Sequence, residues 1–469
     1  MTTRRTFLKL SALLLPSLTL AACGNQAPTV NATASTTSGV TGKAASSALG
    51  TQTAINTHPV AAATSPQSLS GAVSFFSWGS AAAVTERKAF CADFEKEHPG
   101  VTCTFSLSSG VYLDKLLTMA AGGDAPDVFF VSPTDLPAMS TKSLLQPLDA
   151  YIARAHYDLS DFVPAALQQY QRSGKTYGIP RGFGMKVMAF NVDLFQKAGI
   201  APLPTDWKDT TWTFNAWLET TKQLTSGTGT AQIFGNLPHP GDNREWMTYV
   251  WSNGGEVFST DYTQCLLDQA PAVEALQFLQ DLMVKYQVAP SVAQQKVPTG
   301  STDLFTANRA GTSITEATNF AALRNQAKFT WDIGVTPAGK AGRKPGAGGV
   351  GWGMWAHSKE PELAWQLLSE LTGKKFGTTE VIDGTTTPPR LSVLNSAAFL
   401  QPSQPPAHAG IFAGEGNDVR TDPQPNNWDK VGPVFKAQLA LLWSGKENAQ
   451  TVTKAIVQAV NPLLTAPPA

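Results

Sequence analysis

The chain carries 35 basic and 35 acidic side chains among 469 residues, a zero balance that argues against chain-wide attraction to nucleic acid or acidic membrane surfaces. Its length predicts two or three domains at roughly 150 residues each; 42% apolar residues suffice for a sizeable core, and 15% charged residues, against about 25% in ordinary soluble domains, fit an extracytoplasmic protein rich in Ser, Thr, Gly and Asn. Four cysteines are too few for a disulfide-held miniprotein, and no apolar run of about 20 residues follows the N-terminus, which argues against a bilayer span in the mature chain.

The first residues read as an address. Thr3–Lys9 is TRRTFLK, and an apolar stretch from Leu10 to Leu20 follows, interrupted by Pro16. It is short for a span, and small residues close it at Leu20-Ala21-Ala22-Cys23. A charged start, an apolar middle and small residues before a cleavage point make a secretory signal. The arginine pair resembles a twin-arginine export signal. LAAC followed by Gly24 resembles the lipobox of bacterial lipoproteins, which implies a signal peptide over 1–22 and lipid attached to Cys23. The two or three acyl chains of such a terminus hold a protein on a membrane, where one is marginal. The expected location is therefore extracytoplasmic and membrane-anchored.

Residues 23–70 predict a disordered tether. Of the 47 residues from Gly24 to Ser70, 39 are Ala, Ser, Thr, Gly, Pro, Asn or Gln, with Lys43 the single charge and no aromatic. Such a stretch cannot bury enough apolar surface to offset chain entropy, and as a flexible coil it reaches on the order of 40 Å. All twelve tryptophans lie beyond it.

From Gly71 the pattern changes. Val73–Phe76 reads as a strand. Val84, Cys91 and Phe94 line one helical face ended by Pro99-Gly100. Val101–Leu107 alternates like a strand, and Leu113, Leu116, Leu117 and Ala120 give a helical stripe that Gly122-Gly123 can stop. Val128–Val131 is a short continuous apolar run, as a buried parallel strand is. Further strands are expected at Val187–Asn191, Thr312–Thr315 and Ile333–Thr336. Helical stripes run through Val273, Leu276, Leu279, Met283 and Tyr286; through Leu363, Leu367, Leu368 and Leu371; and through Val452, Ile456, Val460 and Leu463. Gly339–Gly349 and Pro402–Pro406 read as exposed loops, and no internal repeat is found. Alternating strands and helices predict an α/β body with ligands near the carboxyl ends of the strands.

Motifs for chemistry are missing. There is no G-x-S-x-G elbow and no H-E-x-x-H, and Cys91, Cys103 and Cys265 lack metal-ligand spacing. Gly174-Lys175-Thr176 looks like the tail of a phosphate loop, but Gln169 stands where its first glycine belongs and no helix follows. Cys91 and Cys103 either pair, closing a helix onto the next strand, or are two small buried thiols. A carboxylate pair for glycoside hydrolysis needs no sequence proximity and stays open.

The order of segments resembles the family 1 extracellular solute-binding proteins of ABC importers, the maltose-binding-protein-like carbohydrate group. The matching pieces include FEKEHPGV (Phe94–Val101), YLDKLLTMAAGGDAPDVFFV (Tyr112–Val131), GKTYGIP (Gly174–Pro180), FNVDLFQKAGI (Phe190–Ile200), SNGGEVF (Ser252–Phe258), Arg309 through Ile314, DIGVTPAGK (Asp332–Lys340), EPELAWQLLSEL (Glu360–Leu371) and TPPR (Thr387–Arg390). The resemblance implies a class II periplasmic-binding-protein-like fold: two α/β lobes, three crossovers and ligand in the cleft. The first lobe is expected over 71–180 plus 310–357 and the second over 185–305 plus 365–469, with crossovers near Pro180–Met185, Arg309–Thr312 and Trp355–Lys359.

The same resemblance implies a binding protein and no enzyme, without cofactor or metal. It would be a monomer that takes a sugar or oligosaccharide and meets ABC permease subunits but no nucleic acid. An exported glycoside-active enzyme and a ligand-sensing receptor subunit are the alternatives. Sugars want aromatic platforms plus polar partners. By position in the family pattern these are Trp78 and Ser80 after the first strand, Ser109 after the second, and Ser132 and Asp135 after DVFFV. Arg181 and Phe183 follow at the first crossover, where members commonly place a carboxylate. Glu316 and Asn319 come next, in place of the Gly and Trp of many members, then Gly349 and the platform Trp352. Trp246, Trp251, Arg390 and Trp428 are expected from the second lobe.

Overall fold

The computed structural model describes residues 69–109, 111–295, 303–382, 384, 386–414 and 418–465. The expected signal segment, Cys23 and nearly all of the expected tether lie outside the described residues. Two sheets organise the rest. In spatial order the first consists of Val101–Leu107, Gly71–Ser77, Val128–Val131, Gly351–Met354 and Ile179–Pro180. Its first three strands are parallel, with Phe75 opposite Phe105 and beside Val128, and Gly351–Met354 runs antiparallel to its neighbours.

Both faces of this sheet are covered, which explains why adjacent residues such as Phe75 and Phe76 are both fully buried. Phe75 packs with Cys91 and Phe94 of the helix Ala81–Glu97 and with Leu363, Leu367 and Leu368 of the helix Pro361–Leu371. Phe76 faces the other way, onto Leu116 and Leu136. Each such side chain contributes roughly 1.5–3 kcal/mol by leaving water. Cys91 and Cys103 form a disulfide that ties the helix Ala81–Glu97 to the adjoining strand, which settles the choice between a bond and two thiols.

The second sheet runs Trp331–Gly334, Val187–Asn191, Ala310–Thr315 and Phe234–Leu237. All residues of Val187–Asn191 and Ala310–Thr315 are buried, and Trp217, Trp246 and Trp331 pack in its core. A small third sheet, Arg420–Thr421, Gly346–Gly348 and Gly184–Met185, lies beside the points where the chain passes between the two. Gly174 sits in a two-residue turn with Ser173, both at positive φ, joining Gln171–Arg172 to Lys175–Thr176. That hairpin accounts for the glycine without a phosphate.

The sheet pairing differs from the expected division. Ala310–Thr315 and Trp331–Gly334 belong to the second sheet and not the first, because both flank Val187–Asn191 in antiparallel register. Pro361–Leu371 packs on the first sheet and not the second, its Leu367 and Leu368 sharing a core with Phe75. The chain therefore crosses at Pro180–Gly184, at Gly348–Gly351, and between Phe376 in the first core and Val393 in the second. The crossovers expected at Arg309–Thr312 and Trp355–Lys359 are a strand of the second sheet and the exit from a strand of the first. Nor is Gly339–Gly349 an exposed loop throughout. Arg343 is buried and donates to the carbonyl oxygens of Thr336, Trp207, Asp209 and Trp212, and Gly346–Gly348 is a buried strand.

The first two crossings touch backbone to backbone. A Cβ on Gly349 would lie 1.9 Å from the carbonyl oxygen of Gly182, and one on Gly182 would lie 2.3 Å from Thr386 Oγ1. At Gly349, where the clash is with backbone, only glycine fits. Gly349→Ala should cost about 1–3 kcal/mol, the scale of overpacking, whereas Gly410→Ala, with nothing within 4 Å, should stay within about 0.5 kcal/mol. Urea unfolding of the two variants checks this; equal stabilities would contradict the packing.

Candidate functional site

A cavity of about 420 Å³ opens where the crossings meet. From the first sheet it takes Trp78 and Ser132–Thr134, at the carboxyl ends of two parallel strands, where α/β sheets place ligands. The crossings add Arg181–Gly184, Gly348–Val350, Thr386 and Thr387. The second lobe adds Arg244 from the first turn of the helix Asn243–Ser252, Glu316 and Thr318 after the strand Ala310–Thr315, and Asp422.

Charges line this cavity, and they are answered within the protein. Arg181 Nε donates to Glu380. Arg244 Nε donates to both oxygens of Asp422 at 3.2 Å, and its Nη1 donates to Glu316 Oε2 at 3.3 Å. Lys186 Nζ bonds Asp242 at 2.5 Å and lies 3.4 Å from Glu316. Burial works against Asp422, Lys186, Asp242 and Arg244. It lifts Asp422 above the usual carboxylate range although Arg244 opposes it. Asp242 is half-buried, and Lys186 and Arg244 hold it below that range. Burial likewise pulls on Lys186, but Glu316 and Asp242 raise it above the ordinary lysine value. A cavity walled by such pairs offers many hydrogen-bonding atoms and little uncompensated charge.

A narrower compartment of about 130 Å³ adjoins it, sharing Thr134. Asp135, Leu117 and Met139 of the first lobe face Asn426, Asn427, Trp428 and Asp429 of the second. Burial raises the Asp135 carboxyl to about 6, and Asp429 adds to the rise. Trp428 is half-buried and rests on Phe435 and Phe258. A larger cavity of about 670 Å³ lies between the helices Ala81–Glu97 and Lys374–Ile382. It lies away from Gly182 and Gly349 and from the strand ends, so size alone does not mark the site.

The structure brings Trp78, Ser132, Arg181, Phe183, Glu316 and Gly349 together in the cavity, with Asp135 and Trp428 next to it. The other candidates lie elsewhere. Trp352 is fully buried between Phe75 and Phe130, because its strand is covered on both faces, so it offers no platform. Ser80 caps the helix Ala81–Glu97, accepting from the Ala83 amide. Ser109 is exposed beyond its strand, and Asn319 is exposed with its amide donating to Thr315 Oγ1. Trp246 is core, packed on Phe435. Trp251 is core as well, with the guanidinium of Arg420 over its ring. Arg390 lies 4.1 Å over the Phe162 ring and bonds Asp161, Tyr157 and Thr372.

The residues missed are Arg244, Asp422, Thr386 and Thr387. For Arg244 a signal existed. Asp242 caps the helix, so 244 and 246 lie about 200° apart around it. Once Trp246 is core, Arg244 must face out. No comparable pattern marks Asp422. Among the described residues no group of three or more His, Cys, Asp or Glu is placed to hold a metal.

Two α/β lobes with a polar cavity at their crossings define a class II periplasmic-binding-protein-like molecule, and solved structures share the fold. An ABC substrate-binding protein from Listeria monocytogenes in complex with cycloalternan superposes with a TM-score of 0.72 at 23% identity, covering 84% of this chain and 98% of its own. Maltose-bound MalE3 of T. maritima superposes at 0.70 with 20% identity, covering 84% and 99%. An arabinooligosaccharide-binding protein of Halalkalibacterium halodurans is 26% identical over 175 residues, 37% of this chain and 36% of its own. Residues 79–377 match the family model described as bacterial extracellular solute-binding protein, and the chain belongs to that family.

The Asp135 pair gives a pH signature. A carboxyl raised in the folded state lowers stability as pH climbs from about 4, its unfolded value, to about 6, and the cost is complete above that. Asp135→Asn should therefore gain on the order of 2 kcal/mol over the wild type at pH 7 and nothing at pH 4. Denaturant unfolding at the two pH values reads the difference; a gain equal at both would refute it.

Proposed function

We propose that this protein is a lipid-anchored, extracytoplasmic receptor that captures a neutral sugar or oligosaccharide and delivers it to an ABC permease without altering it. One observation carries the reading: a cavity built from both lobes, rich in hydrogen-bonding groups, whose cations are each matched by a carboxylate of the protein. An uncharged polyhydroxyl guest satisfies such a wall, whereas a charged guest must displace an existing pair. Trp78 and Phe183 offer apolar surface in the cavity and Trp428 in its extension, as the ring faces of a pyranose or furanose require.

The relatives' ligands point the same way, with cycloalternan, maltose and arabinooligosaccharides as the class to test first. Capture is hinge closure, and ligand shifts the equilibrium only through its preference for the closed form. Lipidation at Cys23 and the tether of 23–70 keep the receptor at the membrane where the permease reads that form.

Calorimetry against maltotriose, cycloalternan and arabinotriose, followed by mass spectrometry of the recovered ligand, tests this. We expect binding of at least one, the ligand unaltered, and an affinity loss of about tenfold or more in Arg244→Ala, the scale of a charge-assisted hydrogen bond. A cleaved ligand would make the protein an enzyme. Silence across a broad sugar panel would overturn the sugar assignment and leave the fold.

A further inference from the structure

Three buried charged residues, Glu86, Arg87 and Glu380, stand behind the cavity wall to which Arg181 belongs. Arg181 reaches back from the first crossing to Glu380 on the helix Lys374–Ile382. Glu86 and Arg87, on the helix Ala81–Glu97, are buried beside them. Arg87 Nη1 donates to the carbonyl oxygen of Trp78 at 2.8 Å. The Phe130 ring lies 4.9 Å from the Arg87 guanidinium and 5.5 Å from that of Arg181. Two of the groups held in this way, Trp78 and Arg181, are cavity wall.

Burying ions costs several kcal/mol each, and a buried pair is often no better for stability than an apolar replacement. Its distinctive property is geometric, since a bonded guanidinium has one position. Resting on the sugar-receptor reading, we propose that Glu380 is a positioning residue of the cavity: by taking Arg181 Nε it fixes the guanidinium where it meets the ligand, and its ionised form sets the affinity.

The surroundings of Glu380 make that ionisation titratable. Burial lifts its carboxyl to about 7; Arg181 and Arg87 oppose the rise, and Glu86 adds to it. Three further helices pack on Lys374–Ile382. Of these, Pro361–Leu371 directs Glu362 to Arg154 and Glu370 to His98, while Leu391–Leu394 and Ala397–Leu400 carry no charged residue. Lys374 and Lys375 on its own helix are exposed. Affinity should therefore rise between pH 6 and 8 as Glu380 ionises.

Calorimetry with maltotriose, and with arabinotriose as second probe, is run at pH 6, 7 and 8 on the wild type, Glu380→Gln, Arg181→Gln and the double variant. Glu380→Gln should weaken binding about tenfold at pH 8 and flatten the pH profile. The double variant should bind no worse than Arg181→Gln alone, because Glu380 acts through it. Wild-type affinity in Glu380→Gln, or losses that multiply in the double variant, overturns the proposal. Should Glu380→Gln not fold, Glu380→Asp replaces it and should retain the pH profile with weakened binding.

A second readout needs no sugar. The Arg181 Nε–H signal, identified by its loss in Arg181→Lys, should shift between pH 6 and 8 in the wild type and not in Glu380→Gln. If neither probe binds the wild type but the signal behaves so, the positioning stands and the choice of sugar fails. A signal that does not titrate overturns the positioning.

Discussion

The contact between Gly182 and Gly349 is the constraint on which the rest of the molecule depends. Two crossings of the chain meet there with no side chain between them, and hydrogen bonds knit them together. The amides of Arg181 and Gly182 both donate to the Val350 carbonyl, and the Phe183 amide donates to Thr387, on the third crossing. A short antiparallel pairing, Gly184 with Gly348 and Met185 with Ala347, continues the seam. Because the crossings touch, the carboxyl ends of the first sheet and the polar edge of the second lobe open onto one space. The proposed hinge closure would need bending at this narrow seam alone, leaving both cores packed.

The charges make sense in the same frame. Arg181 and Arg244 stand at the seam from opposite lobes, and each is bonded to carboxylates of its own surroundings. Closure onto an uncharged ligand then leaves no ion to be stripped of its partner, and the desolvation cost of these groups is met in folding and not at binding.

Much of the first lobe was legible in the sequence. Val128–Val131 reads as a buried parallel strand because four consecutive apolar residues have no polar face to show, and Leu113, Leu116 and Ala120 announce a helix by spacing alone. The partition between lobes was not legible. The sequence points to a strand at Thr312–Thr315 but not to the sheet it joins, and the helix Pro361–Leu371 has the same stripe whichever core it covers. At the candidate site, Trp78 and Ser132, expected after strands from the family pattern, line the cavity, whereas Ser80 and Ser109, expected on the same ground, do not. Aromatic content misled, since Trp246, Trp251 and Trp352 fill cores, while the polar contact on the same helix as two of them is Arg244. Asp422 arrives by tertiary folding with no local pattern to betray it.

A distance across the cleft gives the sharpest test of a two-lobed trap that closes on a neutral guest. Spin labels at Thr141→Cys and Lys430→Cys, exposed positions on the first and second lobes, report it by electron–electron resonance. A saturating oligosaccharide, shown by calorimetry to bind, should shorten and narrow the distance distribution. A bound sugar that leaves the distribution unchanged would contradict it.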